Sequence, residues 1–181
     1  TVHCGGLVGI PGNPAGPGAT GTNGAPTISI LKQDGIITTT INLDLKGLSR
    51  GNGTQVVGKE NGGAAYITEI TPAINGTLYN CEVICVEVVA GDSNPAPTNN
   101  DFDLYSSEDD TFIAIQSGQP TGGNGRRIIN AADFSQLYSI TGRNSVDNLA
   151  AINSANTQYI YLSGGTAPAT TGEFTAGKLI I

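Results

Sequence analysis

Residues 36–45 read IITTTINLDL, and their alternation decides the fold class. Ile37, Thr39, Ile41, Leu43 and Leu45 fall on one side of an extended chain, with Thr38, Thr40, Asn42 and Asp44 on the other. A period of two, rich in β-branched residues, is the pattern of a strand that buries one face. Upstream, Gln33-Asp34-Gly35 separates this strand from a shorter one predicted at Ile28–Leu31. Asp-Gly suits the two-residue turn of a hairpin because both central residues then need positive φ.

Downstream, a Gly/Asn/Ser loop at 47–53 precedes a short strand predicted at Thr54–Val57. Asn75-Gly76 then sits between two β-rich runs, Ala65–Ile74 and Thr77–Val89, and predicts a second hairpin. A two-residue turn there sets Ile70 opposite Cys81, Tyr66 opposite Cys85 and Glu69 opposite Glu82. Val83–Val89 is apolar on both faces, as a central strand requires. Further strands are expected at Asp101–Tyr105 and Thr111–Ile115, flanking an acidic turn at Ser106–Asp110. Gly91–Asn100 and Gln116–Gly125 read as loops, and Ala131–Tyr138 and Val146–Ile152 fit a helical turn or a strand equally. Gln158–Leu162 and Lys178–Ile181 read as a terminal hairpin. Many strands, frequent turn signals and no sustained helical period predict an all-β, jelly-roll-like antiparallel sandwich over residues 27–181.

Residues 1–26 have a different texture. From Gly6 the triplets are GLV, GIP, GNP, AGP, GAT, GTN and GAP, with Gly first in each except where Ala15 replaces it. Pro11, Pro14, Pro17 and Pro26 all take the third place. Period-three glycine with in-frame proline is what a collagen triple helix requires, because only Gly fits at its axis. The competing reading is a flexible Gly/Pro linker. As a stalk, residues 6–26 would extend about 60 Å at the polyproline rise, and so short a run needs a trimerising domain beside it. The predicted organisation is a collagen-like stalk at 1–26, a head at 27–181, and a homotrimer.

Charged residues make up only 13% of the chain, against roughly 25% in an average soluble domain. The net charge of −7 and the scarcity of Lys and Arg give no basis for binding nucleic acid. No apolar run is long enough to span a bilayer, so no membrane insertion is expected. No signal peptide is visible at TVHCGG, and Met is absent even at position 1. That points to processing, or to a chain that is part of something longer. The three cysteines, Cys4, Cys81 and Cys85, do not make a disulfide framework. Four residues apart on one strand, Cys81 and Cys85 are too distant to bridge and read as small buried hydrophobes.

The only histidine, His3, lies outside the head, so a Ser-His-Asp or Cys-His arrangement has no histidine there. No catalytic or cofactor-binding residues and no cofactor are predicted. For metal, the one lead is Asp101, Asp103, Glu108, Asp109 and Asp110, hard oxygen ligands suited to Ca²⁺ but without an EF-hand pattern; a solvated acidic turn is the simpler account of them. If Glu69 and Glu82 face each other, a cation such as Arg126, Arg127 or Arg143 could meet them. Tyr66, Tyr79, Tyr105, Tyr138, Tyr159 and Tyr161 suggest a carbohydrate-binding face or, more simply, packing.

The runs IITTTINLDLKGL, GGAAYITEITPAINGTLYNCEVICVE, Tyr159-Ile160-Tyr161-Leu162 and EFTAGKLII resemble a family of virion structural proteins of marine cyanophages and related tailed phages. In that family a "TT-hydrophobic-DLTGL" strand precedes a "YIxxITxAxNGxxY" hairpin, and the chain closes on "Y-L-Y-L…TAGKxxI". Residues 95–155 lie outside the likeness, and not all members carry a collagen-like segment. The resemblance implies a non-enzymatic particle component at the virion surface, a capsid decoration, spike or fibre protein, with the capsid shell among its partners. It carries no site residues across. Two alternatives from other classes are an adhesin head that binds a host-surface glycan and a subunit of an extracellular filament.

Overall fold

The computed structural model describes residues 26–50, 57, 66–76, 78, 80–91, 101–108, 115–116, 119–120, 126–133, 137, 139–141, 156–164 and 172–181. The alternating stretch forms the expected hairpin: β1 (Thr27–Gln33) pairs antiparallel with β2 (Ile36–Asp44), with Gln33 opposite Ile36. Asp34 and Gly35 make the turn at φ 51° and 80°. Both angles lie in the left-handed region that a type I′ turn needs. Ile41, Leu43 and Leu45 are buried, while Ile37 and Thr39, nearer the turn, are half-buried.

The remaining elements are β3 (Ser49–Arg50), β4 (Thr68–Ile70), α1 (Pro72–Asn75), β5 (Glu82–Gly91), β6 (Asp101–Ser107), β7 (Ile115–Gln116), β8 (Gln119–Pro120), β9 (Arg126–Asp133), β10 (Ser139–Thr141), β11 (Gln158–Gly164) and β12 (Gly172–Ile180). One sheet runs β1-β2-β12-β5-β10, with β3 on β12; the other runs β4-β11-β6-β9. All their ladders are antiparallel. The fold is therefore all-β, in two sheets, with α1 as the sole helix among the described residues.

The pairing is nested. β2 pairs with β12, β4 with β11, β5 with β10, and β6 with β9, so the outermost strands of the chain meet and the innermost meet. Two further ladders, β5–β12 and β6–β11, join these pairs into the sheets. One apolar core lies between them, with Ile41, Leu43, Val83, Cys85 and Leu179 from one side and Phe102, Leu104, Ile129, Ile160 and Leu162 from the other. Phe102 and Phe174 meet across it with ring centroids 6.1 Å apart.

Two predicted hairpins are corrected. Asn75-Gly76 does not turn one strand back on the next: β4 pairs with β11, and β5 pairs with β12 and β10. Pro72 is the reason. Its preset φ opens one turn of helix, and the residue before it is held extended, as Thr71 is at φ −123° and ψ 142°. The Asn75 side chain then accepts the Thr71 N–H at 2.9 Å, and the Gly76 N–H donates to the Pro72 carbonyl at 3.0 Å. Glu69 consequently faces Tyr159, and Glu82 faces Thr141, so the proposed pair of glutamates does not form. The terminal hairpin is likewise absent, because β11 and β12 lie in different sheets, each between two partners that bury it.

Elsewhere the ambiguous segment resolves in part. Arg126–Asp133 and Ser139–Thr141 are strands, and residues 146–152 lie outside the described residues. The short pair β7 and β8 begins at Ile115 and occupies part of the segment read as a loop at 116–125. Of the strand predicted at Thr54–Val57, Val57 is described: it is buried, and its N–H donates to the Leu162 carbonyl at 2.8 Å. The strand predicted at Thr111–Ile115 falls outside except for Ile115, as does the segment 1–25.

One irregularity shapes the larger sheet. The β5–β12 register shifts three times between Phe174 and Leu179, and Gly177 lies within that stretch at φ 135°. A Cβ there would come within 3.0 Å of Val89 Cγ2 and 3.2 Å of Leu45 Cδ1. Glycine is therefore required both by the backbone angle and by the close approach.

Candidate functional site

The chemistry-bearing side chains gather on the face of the four-stranded sheet that points away from the core. Along β6 that face takes Asp103, Tyr105 and Ser107, because Phe102 and Leu104 point into the core. Along β11 it takes Tyr159, Tyr161 and Ser163 by the same alternation. The register sets Tyr161 opposite Tyr105, and Tyr105 opposite Arg127 of β9. Glu69 of β4 faces Tyr159 at the other edge.

A charged triad centres on Tyr105. Its hydroxyl donates to Asp103 Oδ2 at 3.0 Å and accepts from Arg127 Nε at 3.0 Å. Arg127 reaches the same carboxylate at 3.6 Å, and its guanidinium lies 5.5 Å from the Tyr105 ring centroid. Burial pushes the Tyr105 phenol up to about 12, and the Asp103 charge adds to the shift while Arg127 opposes it. Tyr105 is thus a neutral hydrogen-bonding strut rather than a base.

The tyrosines pack against one another. Tyr105 and Tyr161 are fully buried and form one cluster with the half-buried Tyr66 and Tyr159. Tyr66 meets Tyr159 at 4.9 Å between centroids, tilted by 60°, and meets the edge of Tyr161 at 6.4 Å. Tilted and edge-on pairs satisfy the ring quadrupoles. They do not present a flat, open platform of the kind on which a sugar stacks. The Tyr66 hydroxyl donates to Glu69 Oε1 at 3.3 Å. Tyr79 and Tyr138 lie outside the described residues.

The acidic lead divides. Asp103 belongs to the triad, whereas Glu108 accepts from Asn156 Nδ2 at 3.2 Å and Gln158 Nε2 at 3.4 Å. The Asp101 side chain, Asp109 and Asp110 lie outside the described residues, and among those described no group of three or more His, Cys, Asp or Glu gathers. Arg127 thus pairs with Asp103 rather than with a glutamate pair; the Arg126 side chain and Arg143 lie outside the described residues. Cys81 and Cys85 are free thiols, Cys85 in the core and Cys81 at its margin. Burial raises both, and takes Cys81 to about 12, so neither is a ready nucleophile at neutral pH. His3 and Cys4 lie outside the described residues.

The sequence singled out Tyr105, Tyr159, Tyr161 and Asp103 but not their juxtaposition with Arg127, which depends on β9 pairing with β6. Among the described residues no helix is long and apolar enough to cross a membrane. Comparison of the chain with protein-family models, curated proteins and solved structures found no match.

Proposed function

We propose that the chain is a non-enzymatic structural protein of a virus particle, a trimeric capsid decoration, spike or fibre component whose head is a jelly roll and whose first 26 residues are a collagen-like stalk. The observation that carries this reading is the strand order. Setting β1 and β3 aside, β2-β12-β5-β10 faces β4-β11-β6-β9, with nested partners throughout. That order fits the eight-stranded double Greek key of jelly rolls, an architecture that capsid proteins and lectins share, and so supports the reading. Fold alone does not fix function, so two further features support the particle reading.

β1 begins at Thr27, directly after the last in-frame triplet Gly24-Ala25-Pro26, and occupies the free edge of the six-stranded sheet. Three chains joined by a triple helix would bring three such edges together. Leu31 on β1, 59% exposed, and Ile36 across the turn, 50% exposed, supply apolar surface there. A homotrimer would bury them and protect the edge from unwanted strand pairing. Second, the phage-like sequence runs coincide with β2, with the segment from Tyr66 through β5, and with β11 and β12. The likeness thus covers strands from both sheets rather than one loop. Among the described residues the glycan-binding alternative retains Tyr66 and Tyr159 as partly open rings, packed on each other.

The test is assembly state and location. The full chain should run as a trimer in light scattering at micromolar concentration, and removal of residues 1–26 should leave a folded head. A monomer refutes the trimer. Electron cryo-microscopy of the particle from which the protein is purified should show it projecting from the shell or tail; its absence from virions refutes the particle role.

A further inference from the structure

A cavity of about 330 Å³ lies between the two sheets beneath α1. It opens to the surface and is large enough to admit a small ligand. Much of its wall is aliphatic: Ile41 from β2, Ile70 from β4, Leu104 from β6, Ile128 from β9 and Ile160 from β11 line it, beside Thr38, Thr39 and Thr40 of β2. Those side chains come from both sheets, which therefore part here instead of interdigitating.

The mouth differs in chemistry. Asn75, Asn80 and Glu82 line it, and Asn80 and Glu82 are exposed. Among the described residues Glu82 has no ion pair. The cover is α1, fixed by one side chain: Asn75 Oδ1 accepts from the Thr71 N–H and its Nδ2 donates to Thr39 Oγ1, both at 2.9 Å. This latch ties the end of β4 in one sheet to β2 in the other. Next to Ile70 in the chain, the Thr71 hydroxyl is buried with no hydrogen-bond partner.

We infer that the cavity is a binding site for a single-chain aliphatic amphiphile with an uncharged polar head, its tail between the sheets and its head at Asn80 and Glu82. Size sets the tail. An apolar cavity of about 150 Å³ stays dry and takes up benzene, so twice that space suits roughly eight to twelve heavy atoms. Charge selects the head, because the Glu82 carboxylate repels a fatty carboxylate and accepts a hydrogen bond from a hydroxyl.

The test uses the full chain and octan-1-ol as probe, read by the methyl resonances of its isoleucines. Saturable shifts are expected at Ile41, Ile70, Ile128 and Ile160, with none at the exposed Ile36. Octanoate should bind about tenfold more weakly. Cys81 also lines the cavity, so octan-1-ol at ten times its dissociation constant should slow alkylation of Cys81 by iodoacetamide about tenfold. Cys81→Phe should fill the space, abolish the isoleucine shifts and raise Tm. Shifts that grow linearly without saturating, that appear equally at Ile36, or that survive Cys81→Phe overturn the site. If that variant does not fold, alkylation of the unaltered chain decides, and no protection overturns it. Equal affinity for octanoate overturns the assignment of the head group to Glu82.

Discussion

The two sheets use the same alternation of residues to different ends. The six-stranded sheet buries one face and leaves the other open, where Leu31, Asn42, Val86 and Val88 are all exposed. The four-stranded sheet buries one face and, along its middle strands β6 and β11, much of the other. Along β6, Phe102 and Leu104 fill the core, yet Tyr105 and Ser107 on the opposite face have no exposed surface either. The polar atoms there are paired within the face, which offsets the cost of burying them: Asp103, Tyr105 and Arg127 pair with one another. Polar residues in a strand therefore report hydrogen-bonding capacity, and exposure follows only if the capacity is met by water.

The contrast breaks if Tyr161→Ala is mild. As a buried residue it should cost about 3–5 kcal/mol, read from the urea midpoint at constant m; a loss under 1 kcal/mol would mean that the face is open. Gly177→Ala should follow at about 2–3 kcal/mol, since its Cβ drives into Val89 and Leu45 and its φ is unfavourable. Arg127→Met leaves the Asp103 carboxylate and the Tyr105 hydroxyl short of a donor, and should cost about 1–2 kcal/mol.

A pH titration sharpens the same point. The Tyr105 phenol is raised from 10.0 to about 12 in the fold. Between these values the unfolded chain loses a proton that the folded chain keeps, so this contribution is complete below pH 10 and is lost as pH rises through 12. Cys81, raised from 9.0 to about 12, acts in the same direction and begins lower. Tyr105→Phe should flatten the alkaline fall in stability without removing it, as followed by denaturant midpoints across that range. The smallest effect belongs to the open face: Val86→Ser should change the unfolding free energy by less than about 0.5 kcal/mol.

How much of this was legible in the sequence turns on two dipeptides. Asp34-Gly35 is a hairpin because nothing nearby competes with it. Asn75-Gly76 has the same chemistry, but Pro72 three residues earlier diverts the chain into a helical turn, and the Asn side chain caps that turn. The all-β class and the inner face of β2 followed from periodicity, which is local. The partners of β4, β5, β11 and β12 are distant in sequence, and no local pattern encodes them. The site shares that limit. Asp103 and Tyr105 are two apart on one strand and predictable as neighbours, but Arg127 reaches them only through the β6–β9 ladder. The cavity could not be read at all, because it arises from the spacing between sheets.

The nested order has a consequence for how the chain is made. β12 lies in the middle of the six-stranded sheet, between β2 and β5, although it is synthesised after every other described strand. A ribosome that has released everything up to Gly164 has supplied all of β4-β11-β6-β9 but left β2 and β5 with no strand between them. The inner ladder β6–β9 closes the shorter loop and bears the smaller entropic cost, whereas β2–β12 must close almost the whole head. Assembly from the middle of the chain outward is the inexpensive route, and until β12 inserts, the edges of β2 and β5 remain open to strands of neighbouring chains. A chain made in many copies at once would meet that hazard at every translation event, and the speed with which the nine residues of β12 dock would govern its yield.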